Sequence, residues 1–352
     1  MFHGITKTVC RILMKIGIVG YQGSGKSSLF QWLTGVAPDP GLAHSSQSAM
    51  ATVPDQRIDR LAEIYHPKKT SRAAINVIDT PGLSRDHEGN AAKLAILREA
   101  GCLIIVVGAY AGADPRQDLE SFAEDLLFAD LSIVLNRVER LRESVKRPKP
   151  NRAQEQEELA TLEPIAAHLE SGRPLHEMGL TEPQSRAIKS FQLLTDKPRR
   201  VIINTGDDQV PSQTDVGEKQ KAFAFPVPLQ LELVDMAADE RKQFCQEMEI
   251  TPMDSGLLLR EFMDASGQML FFTAGEKEVR SWLIPQGATA EMAADCIHSD
   301  LARGFVRAER MTCHDLFRLG SEREIKAHNL MSKEPKDYVV QDGDILHILA
   351  ST

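Results

Sequence analysis

Gly20-Tyr21-Gln22-Gly23-Ser24-Gly25-Lys26-Ser27 has the spacing G-x-x-x-x-G-K-S, and its residue types are those that hold a polyphosphate. Backbone N–H groups of such a loop converge on an anion, the lysine ammonium reaches the β and γ phosphates, and the serine hydroxyl ligates Mg²⁺. On this reading Gln22, Gly23, Ser24, Gly25, Lys26, Ser27 and Ser28 contact the phosphates of a nucleoside triphosphate, with Lys26 acting on the reacting γ-phosphate and Ser27 on the metal. The apolar run Ile16–Val19 predicts a strand delivering the loop, and Ser28–Leu33 a helix leaving it. A chance glycine-rich turn has no reason to be bracketed in this way.

A second phosphate sensor follows about fifty residues later. The apolar stretch Ala73–Ile78 runs as a strand into Asp79-Thr80-Pro81-Gly82. A D-x-x-G at a strand end places an Asp to hold Mg²⁺ through water and a Gly N–H to sense the γ-phosphate. Asp79 and Gly82 take those roles. Leu83 stands where Ras-like switches carry the Gln that orients the attacking water, and leucine cannot do so. A base-reading segment is expected at Asn204-Thr205-Gly206-Asp207. There Thr205 stands in place of the lysine of N-K-x-D and the carboxylate is kept as Asp207.

The elements that must position these groups alternate between strand and helix. Leu103–Gly108 and Val201–Asn204 are unbroken apolar runs, the pattern of strands buried on both faces, and Ala222–Val227 is a weaker one. This predicts a doubly wound α/β domain with its ligand at the strands' C-terminal ends. Between the third and fourth of these strands, Leu127, Leu131, Val134, Val138, Leu141 and Val145 recur at steps of three and four. A second seam, Leu159, Leu162, Ala166 and Leu169, follows Lys146–Arg152, a basic stretch with two helix-breaking prolines. An antiparallel helical hairpin with a basic tip is expected. That tip reads either as a solvated turn or as a contact for a phosphate-rich surface.

Composition limits the alternatives. A chain of 352 residues has room for two or three domains. A formal charge of −9 argues against bulk attraction to nucleic acid, so no DNA contact is expected. The five cysteines form no C-x-x-C pair, which fits reduced thiols in a cytoplasmic protein and no structural zinc. No apolar run is long enough to span a membrane. Residues 1–13 read as an extension expected to be disordered.

Taken together, the residues from about 15 to the end resemble the YchF subfamily of Obg-like P-loop NTPases. The likeness is carried by Val53–Ile64 with Pro67–Thr70, by Phe191–Pro198, and most closely by Phe272–Trp282, His298–Glu309 and Lys336–Ile345. It implies a G domain over 14–115 and 190–267, a helical insert over 116–189, and a C-terminal TGS domain of β-grasp fold over 268–352. In that last part Leu270–Thr273 and Val279–Ile284 predict a hairpin, Thr289 begins a helix through Ile297, and Asp342-Gly343-Asp344 forms a tight turn between two final strands. The resemblance also implies a slow ATPase or GTPase using Mg²⁺ and docking on a ribosome or RNA.

Several departures from the family pattern keep a second reading open, a nucleotide-gated binding module with little or no hydrolysis. Gln22, Gly23 and Ser24 remove the loop Asn that ligates potassium in related potassium-stimulated enzymes. The family's base-reading N-x-x-E goes with ATP preference, and Asp207 replaces the Glu, so ATP or GTP stays undecided. The family's loop His after strand three is missing from Gly108–Pro115. The nearest His is His87, which reads as an exposed loop residue. The switch I Thr falls near Ala43-His44-Ser45-Ser46, leaving Ser45 or Ser46 to substitute, and Pro226-Val227-Pro228 replaces an S-A-K-like loop.

Overall fold

The computed structural model describes residues 15–42, 45–206 and 222–351. The chain runs through β1 (Lys15–Val19), α1 (Lys26–Thr34), β2 (Gln47–Thr52), α2 (Gln56–Tyr65), β3 (Thr70–Ser71), β4 (Ala74–Asp79), α3 (Asn90–Leu97), β5 (Cys102–Ala109), α4 (Pro115–Ser144), α5 (Arg152–Glu170) and α6 (Glu182–Ile188). It continues through β6 (Arg199–Thr205), β7 (Ala222–Phe225), α7 (Val227–Asp235), α8 (Ala238–Glu247), α9 (Ser255–Ala265), β8 (Gln268–Thr273), β9 (Val279–Pro285) and α10 (Ala290–Ile297). The last elements are α11 (Ser299–Arg303), β10 (Phe305–Thr312), α12 (Cys313–Leu319), α13 (Glu322–Ala327), β11 (Ser332–Glu334) and β12 (Asp344–Ala350). They form two six-stranded sheets, ordered β2-β4-β1-β5-β6-β7 and β11-β10-β12-β8-β9-β3.

One compact unit comprises residues 15–49 and 77–253. Its strands β1, β5, β6 and β7 pair in parallel, with Ile18 opposite Ile104 and Val106 opposite Ile202. Parallel strands covered on both faces need continuous apolar sequence, which Ile16–Val19, Leu103–Val107 and Val201–Ile203 supply, all buried. The predicted hairpin is present as α4 and α5. Asp114 caps α4, its carboxylate accepting from the Arg116 and Gln117 N–H groups at 2.9 and 3.3 Å, with Pro115 opening the first turn. Val134, Val138 and Leu141 pack on Leu162, Ile165 and Leu169, and Arg137 forks onto Glu158 at 2.6 and 2.7 Å.

A buried carboxylate fastens this hairpin to the sheet. Asp130, 0% exposed on α4, accepts from the N–H groups of Leu194 and Thr195 at 3.0 and 2.7 Å and from the Thr195 hydroxyl at 2.8 Å. Arg98 completes its shell at 2.7 Å. A fully buried charge is tolerable only with its lone pairs taken up in this way. The strand β6, which ends at the expected base-reading segment, is therefore led in by residues that α4 holds.

The other unit takes in described residues 50–76 and 254–351. β8 and β9 form the expected hairpin, with Phe271 opposite Trp282, and β12 lies parallel to β8 with Ile345 opposite Phe272. Thr289 caps α10, whose Ala290, Ala293 and Ala294 pack on Phe271, Ile284 and Leu346. Small residues let this helix sit close across the sheet in a β-grasp layout. The Asp342–Asp344 turn opens β12, but no paired strand leads directly into it. Instead β11 ends at Glu334 and Val339 makes only an isolated bridge to Thr289. The buried Asp344 carboxylate draws the chain round itself, accepting from Tyr338 Oη, Gln341 N–H and Arg310 Nε at 2.8, 2.9 and 2.8 Å.

Residues between β2 and β4 contribute to this same unit. β3 adds to the sheet edge, parallel to β9. At the start of α2, Arg57 donates to the buried Asp55 at 3.0 and 2.8 Å and to Asp342 at 2.5 Å, with its guanidinium 5.1 Å from the Phe272 ring centroid. Arg57 therefore joins α2 to the final sheet. Arg57→Ala would leave the Asp55 carboxylate with the backbone N–H of residue 57 at 2.8 Å and, among the described cations, Arg260 at 3.7 Å. We expect a loss of about 2–3 kcal/mol in this unit's unfolding free energy, read by urea denaturation. Unchanged stability would show that the ion pair holds nothing together.

Candidate active site

The phosphate-loop sequence folds as a tight turn between β1 and α1, and backbone hydrogen bonds tie it to the switch that follows β4. Gln22 N–H donates to Leu83 O at 3.0 Å, and Leu83 N–H donates to Gly20 O at 3.1 Å. Gly25 sits at φ +97° as the residue before α1, and a side chain there would collide with the Asn204 amide. That amide is engaged on both sides. Asn204 Nδ2 donates to Ser24 O at 3.1 Å, while its Oδ1 accepts from Val227 N–H at 3.0 Å. Asn204 thus braces the loop from the wall of an adjoining hollow.

Lys26 opens α1 and is 6% exposed, its ammonium donating to Tyr21 O at 2.7 Å. Burial pushes its pKa down to about 8. Asp79 opposes that shift, whereas the positive charges of Lys93 and Arg85 add to it. Ser27 Oγ donates to Asp79 Oδ2 at 2.7 Å. Burial raises the Asp79 carboxyl above its ordinary value, against the Ser27 hydrogen bond and the Lys26 charge. Its other oxygen, Oδ1, is buried with no hydrogen-bond partner.

These groups face a cavity of about 510 Å³, lined by Lys26, Ser27, Asp79 and Gly82 on one side and by Asp39, Ser45 and Gln47 on the other. Gly82 is confined. A Cβ there would lie 2.7 Å from Lys26 Nζ and 2.8 Å from Gln22 N. Only glycine lets the switch backbone come so close to the loop. A neighbouring hollow of about 550 Å³ shares Gly23, Lys26 and Ser27 with it and is lined further by Ser28, Tyr110, Asn204, Thr205 and Gly206. There the buried Thr205 hydroxyl has no partner, and neither does the Ser24 hydroxyl in the loop. Polar atoms left unpaired at buried positions are the groups a bound ligand would satisfy.

Of the sequence-predicted residues, Gln22, Gly23, Lys26 and Ser27 come together with Asp79–Gly82 round one cavity, and Gly25, Ser28, Asn204 and Thr205 line the adjoining one, while Ser24 lines the hollow of His87. Asp207, Ala43 and His44 lie outside the described residues. Ser45 lines the first cavity, its hydroxyl donating to Leu42 O at 3.1 Å. Leu83 turns inward and is 1% exposed in the core with Val19, Tyr21 and Leu97. The His87 side chain is 70% exposed and sits with Nδ1 3.0 Å from Asp125, in a separate hollow of about 950 Å³ walled by Arg85 and Asp118.

Two residues escaped the sequence reading. Tyr110 donates to Gly23 O and lines both the Asn204–Thr205 hollow and the His87 hollow. Its place just beyond β5, at a strand's C-terminal end, was the available signal. Lys93 lines the cavity of Lys26 and Asp79. Its signal was a single charge within the otherwise apolar run Ala91–Leu97.

Comparison with known proteins places this geometry in a family. Residues 15–137 match the family MMR_HSR1, described as a 50S ribosome-binding GTPase, and residues 269–351 match YchF-GTPase_C, described as a protein of unknown function (DUF933). The ribosome-binding ATPase YchF of Haemophilus influenzae is 32% identical, over 95% of this chain and 98% of that protein. Its counterpart in Bacillus subtilis is 30% identical, over 94% and 97%. Obg-like ATPase 1 of Oryza sativa subsp. japonica is 32% identical, over 95% and 91%. The solved structure of the Schizosaccharomyces pombe YchF GTPase superposes with a TM-score of 0.83 at 28% identity, covering 96% of this chain and 98% of that one. With likeness running through both sheets and a phosphate loop braced against its switch, the chain belongs to the YchF family of Obg-like P-loop NTPases.

Proposed function

We propose that this protein binds ATP or GTP at the Lys26 loop, hydrolyses the γ-phosphate slowly, and associates with ribosomes as a nucleotide-dependent regulator. The observation that carries the reading is the shared cavity in which the Lys26 ammonium, the Ser27–Asp79 pair and the glycine-only approach of Gly82 face one another. In functional terms we assign 14–115 and 190–267 to the G domain, 116–189 to the helical insert and 268–352 to a TGS domain. Names of relatives that specify ribosome binding support the partner assignment and a cytoplasmic setting. Among the described residues no helix is long and apolar enough to cross a membrane.

Each group has a task under this reading. The loop amides and Lys26 hold the β and γ phosphates, Gly82 N–H contacts the γ-phosphate, and Gln22 to Ser28 shape the cradle. Asn204, Thr205 and Asp207 are the groups we assign to the base. Ser27 Oγ and the unpartnered Asp79 Oδ1 are oxygen donors of the kind a small hard cation takes. Among the described residues no group of three or more His, Cys, Asp or Glu gathers to hold a metal alone. This suits Mg²⁺, which keeps waters and phosphate oxygens as its other ligands, and Ser27 and Asp79 would hold it. Bound there, Mg²⁺ supplies positive charge to the β and γ oxygens. Lys26 and the loop dipoles gain most as negative charge shifts towards the β–γ bridging oxygen.

The burial of Leu83 favours a second reading, a nucleotide-gated binding module that scarcely hydrolyses, because no side chain at that position orients water. Single-turnover hydrolysis with and without ribosomes separates the two. We expect ribosomes to accelerate hydrolysis at least about tenfold. A rate near that of water, unmoved by ribosomes, would establish the binding module instead.

The lowered pKa of Lys26 also gives a pH dependence. Free Lys26 loses its proton near pH 8, and a bound polyphosphate raises that value. Below this pH the loop is already charged and ATP affinity should be flat. Above it each binding event takes up a proton, so affinity should fall about tenfold per pH unit. Calorimetric titration of ATP from about pH 7 to about pH 9.5 reads this, and a flat profile would contradict the buried-ammonium site.

A further inference from the structure

Helix α3 follows the switch and is fixed to it. Asn90, 6% exposed, accepts from Ser84 N–H at 2.8 Å and donates to Ser84 O at 2.9 Å, while Leu94 and Leu97 pack into the core. With those three residues setting the helix's rotation, Lys93 falls one turn beyond Asn90 and lines the cavity of Lys26, Ser27, Asp79 and Gly82. Among the described residues no hydrogen bond or ion pair holds the Lys93 ammonium. Neither carboxylate facing the same cavity is paired with Lys93, and each has one oxygen engaged elsewhere. Asp79 accepts from Ser27, and Asp39 accepts from Gly41 N–H at 2.8 Å. Lys93 is near enough that its charge helps to lower the pKa of Lys26. Two ammonium groups sharing one cavity repel each other, and a polyanion between them relieves the repulsion.

We propose that Lys93 is a second ammonium contact for the γ-phosphoryl group, supplied in cis by α3, and that it acts on the transition state of hydrolysis. This rests on the reading of Lys26 as the phosphate-loop lysine. In the step, the water oxygen bonds to Pγ as the bond from Pγ to the β–γ bridging oxygen breaks. The electron pair leaves with the nucleoside diphosphate, and the water's proton passes to the inorganic phosphate. Charge spreads over the γ oxygens and the leaving oxygen, and a cation held at the cavity wall is worth more there than against the ground state. Lys93 would thus supply charge at a site where Leu83 supplies nothing.

The test compares wild type with Lys93→Met and Lys93→Gln, which keep the stem and lose the charge, and with Lys93→Arg. ADP and ADP–aluminium fluoride are the probes, alongside single-turnover ATP hydrolysis. For the neutral variants we expect ADP affinity within about twofold of wild type, and both ADP–aluminium fluoride affinity and hydrolysis lower by about a hundredfold. Lys93→Arg should recover at least about tenfold of that loss. Wild-type affinity for the fluoride complex in both neutral variants would overturn the proposal, as would equal losses for ADP and its fluoride complex. Failure of the wild-type protein to bind ADP or ATP at all would overturn the reading of the phosphate loop itself.

Discussion

A buried ammonium is the constraint on which the rest of the nucleotide site depends. Lys26 is 6% exposed, and Tyr21 O, a neutral carbonyl, is the acceptor that holds it. Keeping a charge in such a place is unfavourable unless strong negative charge comes to it. The surrounding architecture keeps the ammonium from escaping to solvent. Gly20 and Gln22 are pinned to the switch through both backbone groups of Leu83, and Asn204 braces Ser24 from the far side of the loop. The loop is therefore held by β1, the β4 switch and the end of β6 together.

This arrangement explains why Leu83 is a leucine. Its side chain helps to fill the core beneath the loop while its backbone secures the loop, so the residue serves geometry rather than water activation. Beyond it, Asn90 clamps Ser84 and sets the rotation of α3. A short stretch of sequence thus positions the close backbone approach of Gly82, a packing anchor and a helix carrying a further cation. Between β2 and β4 the chain passes through residues 53–73, which build onto the C-terminal sheet through β3 and Arg57. The two strands that flank the switches are connected by a segment belonging to the other compact unit.

Most of the strand framework was legible because buried parallel strands require unbroken apolar runs, and Leu103–Val107 can hardly be read otherwise. The phosphate loop was legible because its glycines at positive φ allow a backbone geometry that few sequences can adopt, with the Lys26 ammonium at a fixed step beyond them. The hairpin showed in its heptad spacing, but its fastening did not. Asp130 is an ordinary acidic residue in sequence, and only the fold brings Arg98 and Thr195 to it. Asn204 was read as a base contact, and what the sequence did not show is that its amide also braces Ser24 and Val227. Residues such as Tyr110 and Lys93 carry no motif, and their place in the cavities comes from helix rotation and strand ends. The assignment of 53–73 to the C-terminal unit was equally hidden, since local pattern cannot show which sheet a two-residue strand will join.

Equilibrium titration of fluorescent ATP and GTP analogues against wild type and Lys26→Ala tests the central claim most directly. If a buried ammonium and its loop amides enclose the polyphosphate, the wild type binds at least one analogue and the variant loses that affinity by at least about a hundredfold while keeping its fold. Affinity retained by Lys26→Ala would contradict the account.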